Sequence, residues 1–246
     1  MKKILFAALF VGSFTAPAFA GPAEYVYTPK VEYGEREIDI KYGSRKMSGG
    51  DLSAASIGLG FGLTEYWFSE VYVKYNRAND TTSLDAYEWE NKFQLTEIGK
   101  YPIDVGMLLE IERPQDRSEG YEVTFGPLLQ TEFDKLQLNA NVLFKRNYRA
   151  DSANTMQTKY QVQAKYRLKK EFAFGMQGFG ELGDYNSWSS VSDQTHRFGP
   201  AIFGKFGISN KQAIKYNMAY LIGKTPNSDN PNKDSQTLRL QLEYEF

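Results

Sequence analysis

The chain has 246 residues, a formal net charge of −1, a single histidine and no cysteine, and 15% of it is aromatic. The near-neutral charge argues against a nucleic-acid binder, and without cysteine there is no disulfide framework, thiolate metal site or lipoprotein anchor. No segment is apolar over the ~20 residues that a membrane-spanning helix requires.

The first twenty residues read as a signal peptide. Lys2 and Lys3 make a basic start, Ile4 to Val11 an apolar run, and Ala18-Phe19-Ala20 a small-residue motif that predicts cleavage between Ala20 and Gly21. Residues 21–33, with Pro22 and Pro29, show no sustained alternation and are expected to form a periplasmic N-terminal segment able to fold into a barrel mouth. From residue 34 to 246 the pattern changes. Apolar side chains recur at every second position, which puts them on one face of a sheet. Ile38, Ile40 and Tyr42 form the first set, Ala55, Ile57, Leu59 and Phe61 the second, and Val71, Val73 and Tyr75 the third. The pattern continues through Trp89, Met107, Phe125, Val142, Tyr160, Met176 and Ile202 to Ile214, Tyr216, Met218, Tyr220 and Ile222. Runs of about nine to eleven residues are long enough for tilted strands to cross the hydrocarbon. The count is twelve strands, or ten if the first or second hairpin is misread. The fold class is therefore all-β: a transmembrane antiparallel up-and-down β-barrel.

Long polar connections are expected at 44–52, 77–83, 113–120, 146–158, 184–195 and 224–235, with shorter ones between them. Strict alternation of long and short is the pattern of external loops and periplasmic turns, and an even strand count places both termini in the periplasm. Pro127 and Pro200 both follow Phe-Gly within strands. A closed barrel has no free edge for them, so each is expected to mark a bulge.

The last eleven residues alternate without a break: Leu238, Leu240, Leu242, Tyr244 and Phe246 against Arg239, Gln241, Glu243 and Glu245. This stretch resembles the C-terminal signal of bacterial outer-membrane barrels, which implies that Leu242, Tyr244 and Phe246 are read by the barrel-assembly machinery. Together with GEREIDIKYG at 34–43, YEWENKFQLTE at 87–97, LLEIERPQDRSEGYEVTFGP at 108–127 and FKRNYRAD at 144–151, it is similar to an uncharacterised family of proteobacterial outer-membrane barrels. The resemblance implies the fold and a place in the outer membrane of a Gram-negative cell, and carries no activity. Size and strand count are also loosely similar to twelve-stranded porins for acidic oligosaccharides.

Inward parity gathers charge. The first half of the wall offers Glu37, Asp39, Glu70, Glu88, Glu90, Asp104, Glu110, Glu112 and Glu122, with Lys41, Lys74 and Lys92. The second half offers Lys145, Lys159, Lys165, Arg167, Arg197, Lys205, Lys215 and Arg239, with Glu181, Glu243 and Glu245. Two outcomes are open. Opposed walls can set a transverse field across a channel for small polar or charged solutes, or the long side chains can pair across a narrow bore and fill it. Gly58, Gly60, Gly62 and Gly175 face inward and either widen the bore, admit a plug such as the N-terminal segment, or relieve strain at bends.

A catalytic set is hard to assemble. The one histidine, His196, has parity toward lipid, and Asp193-x-x-His196 is a weak pattern for a hydrolase. The polar connections at 113–120 and 224–234 could meet lipopolysaccharide phosphates or a divalent cation, but neither has calcium-loop spacing. The expected function is a porin-like channel with no cofactor, its partners being outer-membrane lipid and lipopolysaccharide. A closed scaffold barrel is the alternative, and a hydrolase using His196 a distant third.

Overall fold

The computed structural model describes residues 21–47, 51–78, 80–209, 212–224 and 234–246. The predicted cleavage motif at 18–20 and the connection 225–233 lie outside the described residues. Twelve long strands form the wall: β1 (Arg36–Met47), β2 (Leu52–Thr64), β3 (Trp67–Ala78), β4 (Thr81–Gln94), β5 (Asp104–Pro114), β6 (Tyr121–Phe133), β7 (Leu136–Tyr148), β8 (Gln157–Lys169), β9 (Phe172–Asp184), β11 (Thr195–Gly207), β12 (Ala213–Lys224) and β13 (Asp234–Glu245). The two-residue β10 (Ser187–Trp188) pairs only with β9. Each long strand runs antiparallel to its sequence neighbours. β13 closes on β1 with Ile40 opposite Leu242 and Tyr42 opposite Leu240. Closure gives every long strand a neighbour on both sides, so no row of backbone N–H and C=O groups of the wall is left facing hydrocarbon.

Parity decides what each side chain meets. On β2, Ile57 is 50% exposed and Ser56 9%; on β3, Val71 is 54% exposed and Glu70 2%. The outward set is thus an uninterrupted apolar belt around a polar interior, with rings such as Trp67, Phe93, Phe206, Tyr216, Tyr244 and Phe246 stacked in pairs near one end. That end, where β1 begins and β13 finishes, is called proximal below, and the opposite end distal.

Two expectations about the connections are corrected. Long and short do not alternate strictly: β3 and β4 are joined at the distal end by residues 79–80 alone, with Ala78 opposite Thr81, whereas the proximal link between β4 and β5 runs from 95 to 103. Polar residues at 77–83 were compatible with a loop, but Asn76, Ser83 and Asp85 hydrogen-bond across the strands and extend the hairpin.

The prolines do not make bulges. Pro127 pairs with Met107 and Pro200 with Met176. On their other sides the registers Phe125–Phe144 and Leu128–Asn141, and Phe198–Ile222 and Ala201–Ala219, continue without a shift. The ladder simply skips the proline and its glycine, because a proline has no N–H to give. Gly126 and Gly199 leave room there for the Val142 and Tyr220 carbonyls, which a Cβ would overlap. The actual register shifts leave one extra residue each at Leu63 on β2, Asp85 on β4, Leu168 on β8 and Leu182 on β9.

The interior is not hollow. Two buried apolar clusters occupy it, and both include residues from the N-terminal segment. Val26 packs with Ala173, Phe179, Ala201, Phe203, Ala219 and Leu221, while Tyr25 and Tyr27 pack with Leu108, Leu128 and Leu143. Residues 25–27 therefore do alternate, Val26 toward one wall and the two tyrosines toward the other, over a stretch too short to register as a strand in the sequence.

Candidate functional site: a lumen occupied by the N-terminal segment

Residues 21–33, expected as an N-terminal segment able to fold into the barrel mouth, run through the lumen. At the proximal end Gly34 N–H donates to the Gly62 carbonyl at 2.9 Å, and Gly62 N–H to the Glu35 carbonyl at 2.8 Å. From there the chain climbs past Gln94, whose Oε1 accepts from Val31 N–H at 3.0 Å. Pro29 lies against Gly106, and at the far end Pro22 lies against Gly43 in the distal half of β1. A Cβ on Gly43 would overlap the Pro22 carbonyl, and one on Gly62 the Glu32 carbonyl. These glycines admit the segment's backbone. Gly58 and Gly60 serve another purpose, giving space to the inward rings of Tyr72 and Phe68 on the next strand, and Gly175 accommodates the backbone of β8.

The segment is fastened to both walls. Tyr25 donates its hydroxyl to Glu90, 2.9 and 3.0 Å from the two carboxylate oxygens. Tyr27 donates to Glu110. Its own N–H reaches Gln161 Oε1 at 3.3 Å, and its carbonyl accepts from Asn141 at 3.0 Å. Glu24 meets Lys159 at 3.0 Å, Arg197 at 3.8 Å and the Gln161 amide at 3.3 Å. The Lys41 ammonium sits 3.7 Å from the ring centres of both Tyr25 and Tyr72, and 3.3 Å from Asp39. A cation between two aromatic faces gains most where water is excluded.

The acidic residues predicted to face inward lie on that face. Glu37, Asp39, Glu70, Glu90, Asp104 and Glu110 are buried, and Glu88, Glu112 and Glu122 half-buried. Their partners differ. Lys74 bridges Glu88, at 2.8 Å, and Glu112, Lys145 holds Glu122 at 3.0 Å, and Asp39 accepts from Tyr72 at 2.7 Å and Gln241 at 3.1 Å. Asp104 accepts the Gly99 N–H at 2.7 Å and so organises the proximal link as well as lining the interior. Glu88, Glu90 and Glu110 bring carboxylate oxygens within 4.8 Å of one another. Lys74, Tyr25 and Tyr27 respectively donate to the three.

On the opposite side Lys145, Arg197 and Arg239 are buried, while Lys165, Arg167, Lys205 and Lys215 stand half-buried toward the proximal mouth. Lys215 gathers Glu35 at 3.2 Å, Glu243 at 3.1 Å and Glu245; Lys205 also meets Glu245, and Arg167 meets Glu132. Much of this wall is uncharged. Gln130, Gln137, Asn139, Gln163 and Gln177 form a chain of buried amides joined at 2.7–3.3 Å and ending on Arg239, 3.1 Å from Gln177. Counting charges alone missed these amides, although Gln137-x-Asn139-x-Asn141 and Gln161-x-Gln163 show inward parity plainly. Alongside the segment from Tyr25 to Glu32 a cavity of ≈ 640 Å³, lined also by Glu35, Lys92, Lys165, Lys205 and Lys215, reaches the proximal end.

His196 lies on the outer side, its Nδ1 2.8 Å from the Tyr160 hydroxyl and its Nε2 3.0 Å from Gln194. Asp193 instead accepts from Ser190. The Asp193-x-x-His196 pair is thus not made: His196 bonds to Tyr160 and Gln194, and Asp193 and Ser192 to Ser190.

No family model matches the chain, and no curated protein does. Solved structures do. The NanC porin is 12% identical, with 83% of this chain and 98% of that one covered and a TM-score of 0.59. The KdgM porin, solved in complex with disordered oligogalacturonate, is 13% identical over 85% of this chain and 99% of that one, at 0.52. An outer-membrane channel from Pseudomonas putida F1 is 10% identical over 88% and 96%, at 0.57. At such identities the likeness is one of fold: the chain has the closed antiparallel barrel fold of outer-membrane channels and porins.

Proposed function

We propose that this protein is a porin-like channel of the Gram-negative outer membrane for small polar or charged solutes, held shut at rest by residues 22–31 of its own chain. The observation that carries the reading is how the segment is attached. It adds no strand to the wall, and from Glu24 to Val31 its contacts across the lumen are made with wall side chains. A plug held by side chains can leave without breaking the barrel's ladder. The proximal end, with the ≈ 640 Å³ cavity, then faces the periplasm.

The closed scaffold remains a second reading, favoured by the amide chain and the paired charges that fill much of the bore. Planar-bilayer recording separates the two. The chain from Gly21 onward should open rarely, and the same chain lacking residues 21–33 should give stable, larger unitary steps. Silence of both at high protein load would establish the scaffold.

Export follows from the signal peptide and cleavage at Ala20–Gly21, and assembly from recognition of Leu242, Tyr244 and Phe246 by the barrel-assembly machinery. External polar connections meet lipopolysaccharide. Phe246 only completes the proximal end, its N–H bonded to the Arg36 carbonyl at 2.9 Å and its ring stacked on Tyr244. Deleting it should leave refolding in detergent nearly unchanged but prevent accumulation in the outer membrane of cells. Wild-type levels in cells would overturn the assembly reading.

A further inference from the structure

The Glu24 contact is built differently from the rest of the plug. Lys159 and the Gln161 amide both donate to Oε1, while Oε2 faces Arg197 at 3.8 Å and makes no hydrogen bond. Arg45 and Arg239 lie within electrostatic reach of Glu24 and Arg197. Lys159 and Arg197 are the cations that meet Glu24 directly, at 3.0 and 3.8 Å, while Glu122 is paired with Lys145. Arg197 and Arg239 are 2% and 4% exposed, and each has an Nε without a hydrogen-bond partner. Buried guanidinium donors left unused beside a carboxylate oxygen that accepts none make a seat that a tethered glutamate fills only in part.

The consequence is a coupling between the plug and an anion. If the segment withdrew with nothing in its place, Lys159, Arg197 and Arg239 would lose their nearest neutralising charge in a site shielded from water, which is costly. An incoming anion removes that cost. The arrangement suits a carboxylate, with one oxygen between Lys159 and Gln161 and the other toward the Arg197 guanidinium, whose planar fork matches two oxygens.

We propose that the seat now holding Glu24 is a carboxylate-binding site of the open channel, and that a small carboxylate-bearing solute competes with Glu24 for it and so releases the plug. This rests on reading the barrel as a plugged channel. A solute that also carries hydroxyl groups finds acceptors at Glu90 and Glu110, where Tyr25 and Tyr27 now donate, and amides at Gln161 and Asn141.

The test uses the whole chain from Gly21, with D-gluconate as probe and D-glucitol as the uncharged match. Gluconate should raise open probability in planar bilayers severalfold, and glucitol should not. By calorimetry Glu24→Gln should bind gluconate about tenfold more tightly, because a tethered competitor acts at millimolar effective concentration. Arg197→Gln should open more often at rest yet lose its response to gluconate. Should Glu24→Gln fail to fold, Glu24→Asp keeps the charge on a shorter arm and should fall between wild type and the expected Gln value. Equal gluconate affinity in wild type and Glu24→Gln would overturn the proposal. So would glucitol acting as gluconate does, or inorganic phosphate acting as well as gluconate. Tighter gluconate binding by Glu24→Gln in a barrel that never conducts would overturn the channel reading and leave the seat standing.

Discussion

The two sides of the lumen solve the same problem in different ways. From β1 to β5 the inward face is crowded with carboxylates. It is made tolerable by a few lysines and by phenols: Lys41 over Tyr25 and Tyr72, Lys74 between Glu88 and Glu112, and tyrosine hydroxyls on Asp39, Glu90 and Glu110. From β6 to β9 the inward charges Glu122, Lys145, Lys159, Lys165 and Arg167 are interleaved with amides, which are hydrogen-bonded to one another in one chain from Gln130 to Gln177. A charged wall depends on a small number of counter-ions and is fragile at those points. An amide wall shares its bonds among many similar partners, and losing one leaves the others in place. The plug joins the two, with Tyr25 and Tyr27 on the charged side and Glu24 across the bore.

That contrast can be tested by single substitutions. The largest effect is expected at Lys41, which is 5% exposed and the cation nearest Asp39 and the Tyr25 ring. Lys41→Met leaves buried carboxylates without their partner, and breaking a buried pair costs ~3–5 kcal/mol. The loss should appear as a lower urea midpoint in detergent or lipid. On the amide side, Gln177→Leu strands one Arg239 N–H and the Gln163 oxygen. The expected cost is ~1–3 kcal/mol, the penalty for buried groups left unpaired. If Gln177→Leu proved as damaging as Lys41→Met, the contrast between the walls would fail.

The smallest change in barrel stability belongs to Gly62→Ala, yet it should move the plug most directly. Its added Cβ would overlap the Glu32 carbonyl, part of the segment, whereas the same change at Gly58 meets the Tyr72 ring, part of the wall. Gly62→Ala should raise open probability with little change in unfolding, and Gly58→Ala should lower stability with little change in conductance. Equal behaviour of the two would mean that the inward glycines serve the barrel alone.

The period-two pattern determined most of the wall. Leu238, Leu240 and Leu242 had to share a face, and with Ile57, Val71 and Trp89 on the same parity the apolar belt followed from strand geometry alone. The antiparallel order followed too, because hairpins join neighbours, while the choice of twelve strands over ten was made by the structure. The prolines showed the limit of local rules: a missing N–H forbids one hydrogen bond, but whether the strand bulges or skips a rung depends on the neighbouring strand, and Gly126 and Gly199 let it skip. What fills the lumen was decided only by the tertiary structure. Residues 21–33 contain one short alternation, Tyr25-Val26-Tyr27, too brief to stand out, and its meaning lies in walls contributed by β4, β5, β8 and β11, remote in sequence. Charge parity placed Glu90, Glu110 and Arg197 inside, but it could not say which would pair with each other and which with the plug. That choice depends on distances across a closed barrel, fixed by its register and curvature, for which no short-range pattern in the sequence exists.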